Sequence, residues 1–170
     1  MLRCLLVLTT ILTLTAVSTA TVQKAPLKPD ADEYAVYSAL LDELCVRQGV
    51  RFVLIVNQTF SPGIATPDEL DPAVGELIQD YVLKGATPLG KELKLANKYQ
   101  LISESQSRTM FISAAPIITI SRVGFNSSRD RALVYFAFRR TESFKKEQFV
   151  TMTKGPEGWR VGHGLMRFLY

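Results

Sequence analysis

Histidine occurs once in this chain, at position 163, tryptophan once, at 159, and cysteine twice, at 4 and 45. These scarcities exclude a good deal of chemistry. A zinc site takes three or four nitrogen, sulfur or oxygen ligands, and His163 and Cys45 lie more than a hundred residues apart. Nucleophilic catalysis needs an activated side chain beside an oriented base. The serines are many, but no Gly-x-Ser-x-Gly turn occurs, and neither cysteine sits in a protease signature. No Gly-x-x-x-x-Gly-Lys-Ser/Thr phosphate loop is present. The carboxylates gather at expected helix starts, where capping explains them, so no acid/base pair of the glycosidase kind is marked. The sequence calls for no metal, no cofactor and no catalytic residue.

Long apolar runs are equally scarce. The single one, Leu5–Leu14, follows Arg3 and precedes the small residues Ser18-Thr19-Ala20, the pattern of a cleaved export signal. Cys4 to Ala20 holds five threonines and a serine, which is polar for a segment that must otherwise span about 20 apolar residues. The expectation is residues 1–20 as signal peptide, cleavage near Ala20, and a periplasmic or secreted chain with no stable membrane span. Cys4 leaves with the signal, so no intramolecular disulfide can form and Cys45 is expected in the core. Two sequons, at Asn57 and Asn126, matter only in a host that glycosylates them.

What is there is enough for one domain. Residues 21–29, with two prolines and two lysines and no periodicity, read as a flexible tether, and 30–170 as a single α+β domain. Acidic Asp30, Asp32 and Glu33 open a helix whose stripe is Tyr34, Tyr37, Leu41, Leu44 and Cys45, closed by Gly49. Val50–Val56 is apolar on both faces and reads as a buried strand. A second helix has two possible starts, a capping box at Thr66-Pro67-Asp68-Glu69 or a restart at Asp71-Pro72, and its face is Leu70, Val74, Leu77, Ile78 and Tyr81. Residues 89–101 offer a short helix turning extended near Tyr99, and the polar run 103–109 reads as a loop. From Pro116 the runs 117–123, 132–138, 147–152 and the stretch around Trp159 are β-branched and aromatic with short joints, an antiparallel meander. The expected architecture is helices packed on a curled antiparallel sheet.

Charge is split along the chain. Residues 21–99 carry 8 basic and 11 acidic side chains, and residues 100–170 carry 11 and 5. Either the halves attract each other within the fold, or a basic sheet face meets an anionic partner. Most basic residues of the second half fall at strand ends and turns, where they guard against sheet aggregation, and nothing marks a nucleic-acid surface.

The strand 132–138 is apolar on both faces: Ala132, Val134, Phe136 and Phe138 point one way, Leu133, Tyr135 and Ala137 the other. Its second face is expected to line an enclosed pocket or to meet a partner. Alternation places Trp159, Val161 and His163 on one face, so Tyr135, Phe136, Trp159 and His163 are the candidate pocket or interaction residues. The function read from this is an exported, non-enzymatic module that binds a protein partner or an apolar ligand on the sheet. The alternative is a small pocket enzyme with His163 as general base.

Ser121-Arg122-Val123-Gly124-Phe125-Asn126, then Ala132-Leu133-Val134-Tyr135, then Gly158-Trp159-Arg160-Val161 resemble a group of exported bacterial proteins sharing an SRVGFN…ALVY…GxW C-terminal half. That resemblance, over about 50 residues, implies location and fold more than activity. The turn before Trp159-Arg160-Val161 also resembles the C-terminal hairpin of nuclear-transport-factor-2-like cone folds, which curl a sheet around a pocket. The helix-on-sheet cystatin inhibitors compare less well, because their Gln-x-Val-x-Gly loop is missing.

Overall fold

The computed structural model describes residues 28–63, 72–110, 115–141 and 144–166, the last four of these and residues 72–73 by backbone alone. The expected signal, most of the expected tether and the expected Thr66 capping box lie outside the described residues. Helix α1 (Ala31–Gln48) begins where Asp30 accepts the Glu33 N–H at 2.9 Å, and ends at Gly49, whose φ of 61° is the left-handed turn that a residue without Cβ adopts at low cost. Its inward stripe includes Val36, Tyr37, Leu40, Leu41 and Cys45. Burial pushes the Cys45 thiol pKa up, as expected of core sulfur, and Asp42 adds to it.

Strand β1 (Phe52–Val56) is followed by α2 (Pro72–Val82); the two expected caps of this helix, Thr66 and Asp71, lie outside the described residues. Pro88 and Gly90 interrupt the helix expected over 89–101, and the chain runs irregularly into β2 (Lys98–Ile102). Residues 103–109, expected as loop, form a short helix α3 (Glu104–Thr109). Ser103 and Gln106 build a reciprocal capping box at its start, a device that needs no apolar stripe.

The remaining strands are β3 (Ile117–Ile120), β4 (Gly124–Phe125), β5 (Arg131–Arg139), β6 (Lys145–Gly155) and β7 (Gly158–Met166). The C-terminal meander forms as expected: β3–β5, β5–β6 and β6–β7 are antiparallel. The sheet as a whole is mixed, however. β1 lies between β2 and β3 and is parallel to both, giving the order β2-β1-β3-β5-β6-β7 with β4 beside β5. Parallel pairing requires long crossovers, which the α2- and α3-containing segments supply. It also accounts for the two-sided apolarity of β1, since strands joined this way are buried on both faces.

The sheet is open and has helices on both sides. Against α1 lies the main core, where Ile55, Ile118, Val134, Phe136, Phe138, Met152 and Trp159 meet. Against α2 lies a second layer, in which Val74, Leu77, Ile78 and Tyr81 pack on Leu133, Tyr135 and Phe149. Strand 132–138 is therefore apolar on two faces because this chain covers both. At Ala137 and Arg139 that cover stops, and the sheet is left half-open.

Candidate functional site

Two constructions of polar and apolar groups mark the molecule. The first joins α1, α2 and the segment between β3 and β4, and it uses every residue of Ser121–Asn126. Ser121 donates its N–H to Tyr135 O at 2.9 Å and accepts the Tyr135 N–H on Oγ at 2.9 Å, carrying the β3–β5 ladder past its end. Arg122, 2% exposed, forms a fork with Glu33, 0% exposed, through Nε at 2.7 Å and Nη2 at 2.8 Å. Tyr37 OH donates to the same carboxylate at 3.2 Å. Lys84 Nζ donates to Val123 O at 2.7 Å and Asp80 Oδ2 at 2.6 Å, and stands 3.7 Å from Glu33. Asp80 also accepts the Phe125 N–H at 2.7 Å. Asn126 Oδ1 receives the Asp130 and Arg131 N–H groups that close the next turn.

Tyr37 and Arg122 both have raised pKa values, for different reasons. Burial and then the Glu33 charge hold the Tyr37 phenol well above its ordinary pKa. For Arg122 burial opposes the charge, and hydrogen bonding and attraction to Glu33 outweigh it, so its pKa is raised. The polar side-chain atoms of these groups are hydrogen-bonded within the protein. The cluster is a clasp between layers.

The second construction is a groove of about 420 Å³ where the α2-side face of the sheet is left uncovered. Its floor comes from four strands: Val56 of β1, Ile117 and Thr119 of β3, Tyr135, Ala137 and Arg139 of β5, and Glu147 of β6. One wall is the loop Gln58–Phe60 with Ala86, and the other is α3 with Lys145 at the rim. The loop is fixed by Thr59, whose Oγ1 pairs with the Thr87 backbone, and by the Phe60 N–H donating to Ile120 O at 2.8 Å. Arg139 Nη2 donates to Ser107 O and so ties α3 to the floor. The Ser107 hydroxyl donates to Glu104 O at 2.7 Å, Glu104 pairs with Arg108, and Lys145 pairs with Glu147. A hollow beside the first half of α1, between Ala31, Tyr34, Ser38 and the loop bearing Glu92 and Lys94, carries one acidic and one basic side chain.

The four candidate residues do not share one surface. Phe136 and Trp159 meet in the α1-side core, 0% and 8% exposed, so neither is a binding face. Tyr135 points the opposite way and lines the groove. His163 lies on β7, and its side chain falls outside the described residues. The groove residues that sequence reading passed over are Phe60, Thr119 and Arg139. Alternation along β5 already sets Leu133, Tyr135, Ala137 and Arg139 on one face, and the change from bulky apolar side chains to a small one and then a cation is the signal of where cover ends. Asn57 is exposed, whereas Asn126 Nδ2 is engaged by Ser128 Oγ and Asp130 Oδ1 at 2.8 and 2.7 Å. Among the described residues no group of three or more His, Cys, Asp and Glu side chains is arranged to hold a metal, and no described helix is long and apolar enough to cross a membrane. Compared with known proteins, the chain matches no family model, no curated protein and no solved structure.

Proposed function

We propose that the protein is an exported, non-enzymatic binding module whose site is the groove over Tyr135, Ala137 and Arg139. The observation that carries this reading is the gap in the α2-side cover: a concave, mainly apolar floor drawn from four strands, with polar groups at its rim. Its size falls within the roughly 300–1,000 Å³ of small-ligand sites. The hydroxyl and carboxylates at its edge are held by neighbours, which suits fixed walls better than proton transfer.

The test uses N-phenyl-1-naphthylamine, an uncharged apolar fluorophore, with the intact chain. Saturable binding at one site is expected, and Ala137→Trp, which fills the floor, should remove it while near-ultraviolet circular dichroism stays native. Binding that survives Ala137→Trp, or no saturable binding at all, would overturn the reading. Export is checked separately by the N-terminal residue of the protein purified from its producing cells. Thr21 is expected, or Thr19 if cleavage follows Ser18; a chain that starts at Met1 and sediments with membranes contradicts it.

A further inference from the structure

The groove is polarised along β5. Tyr135 and Arg139 are four residues apart on one strand face, about 13 Å at roughly 3.3 Å per residue. At the Tyr135 end the surface is aromatic: the Phe60 ring, 51% exposed, is tilted against Tyr135 at 6.2 Å, and Tyr135 meets Phe149 at 5.2 Å. At the other end stand Arg108, Arg139 and Lys145, with Glu104 and Glu147. Two of the three cations are already matched, Arg108 by Glu104 and Lys145 by Glu147. The third is not. Arg139 is half-buried and held by the Ser107 carbonyl, and no carboxylate of the described residues stands within ion-pair distance of it.

A guanidinium carries five N–H donors in a rigid fork that fits an oxyanion. Removing one from bulk water without a counter-ion is costly, and a ligand anion recovers that cost through charge-assisted hydrogen bonds. A floor that changes from aromatic to cationic over about 13 Å therefore matches a molecule with the same two ends.

We propose that the groove takes a small amphipathic acid, its apolar body over Tyr135, Phe60 and Ala137 and its single oxyanion at Arg139. This rests on the groove being the binding site, and the test separates the two ideas. It compares 8-anilinonaphthalene-1-sulfonate with N-phenyl-1-naphthylamine, which has the same ring system without the sulfonate. The sulfonate should bind at least about tenfold more tightly, the worth of one hydrogen bond to a charged group. Arg139→Gln should cancel the sulfonate's advantage, so that the two probes bind the variant with equal affinity. Arg139→Lys, which keeps the charge and loses the fork, should retain part of the preference, and it decides the matter if the Gln variant fails to fold.

Equal affinities in the wild type, or a preference that survives Arg139→Gln, would mean that Arg139 serves only to anchor α3, and the inference falls while the groove stands. If neither probe binds saturably, the groove reading itself falls. Displacement of the bound sulfonate by decanoate or by 4-biphenylcarboxylate then tells a chain acid from an aromatic one; displacement by neither overturns the proposal.

Discussion

A Cβ added at Gly124 would lie 2.1 Å from the Leu77 carbonyl oxygen and 2.7 Å from Tyr81 Cβ. These are atoms of α2, and neither is the loose end of a side chain. The glycine in Ser121–Asn126 is thus the point at which β4 backbone presses against helix, and it lets Asp80 reach the Phe125 N–H and Lys84 reach Val123 O. Gly124→Ala should cost about 1–3 kcal/mol, the range for overpacking a tight interface. Gly85, with nothing within 4 Å of its added Cβ, serves as the control, and Gly85→Ala should stay within about 0.5 kcal/mol. Urea midpoints at constant slope measure both; equal midpoints would show that the α2–β4 contact yields without cost. Reading the motif from sequence alone gives a resemblance, whereas its reason is a distance to another element.

Among the elements, α1 was legible because its stripe and both caps are local. Asp30, Tyr37, Leu41 and Gly49 carry the information within one segment. The antiparallel meander was legible for the same reason, since short joints force neighbours to pair. The parallel β2-β1-β3 unit was not, because nothing within Phe52–Val56 says which distant strand lies beside it. Helix α3 was missed since Glu104–Thr109 has no apolar stripe, although Ser103-x-x-Gln106 spells its cap. The clasp too is invisible locally: Glu33 looks like a first-turn helix charge, and its partner Arg122 lies 89 residues on. Breaking it by Glu33→Gln leaves Arg122 buried without its counter-charge, a change that costs about 3–5 kcal/mol. Replacing both, as Glu33→Met with Arg122→Met, should recover most of that loss, because apolar pairs of similar volume often match a buried ion pair. Denaturant unfolding of Glu33→Met, Arg122→Met and the double variant tests this. Additive losses would show that the residues act independently and that no clasp exists.

Across the whole molecule the charge split along the chain has an internal use. The acidic N-terminal half meets the basic C-terminal half through Glu33–Arg122 and, at the surface, through Arg129 with Asp30 and Asp32 and Lys154 with Asp32. Arg129 holds its place with a φ of 55°, unusual for a residue with a side chain, and its guanidinium also lies 4.3 Å from the centre of the Phe125 ring. Asp30 is therefore N-cap and ion-pair partner together. Burial alone would raise its pKa; the Glu33 N–H and Arg129 outweigh burial, so the carboxyl is held below its usual 3.8. A carboxyl depressed in the folded state contributes stability above its unfolded pKa, and that contribution disappears as pH falls through the lower folded value. Stability should accordingly drop on acidification below about pH 4. Asp30→Asn keeps a capping side chain but cannot ionise, so it should be slightly less stable than wild type at pH 6, and the gap should close toward pH 2. The gap will be modest, about 0.2–1 kcal/mol, because both partners are partly exposed. Urea midpoints of the two proteins across that range decide it, and a gap that does not change with pH would show that Asp30 acts as a cap alone and takes no part in joining the halves.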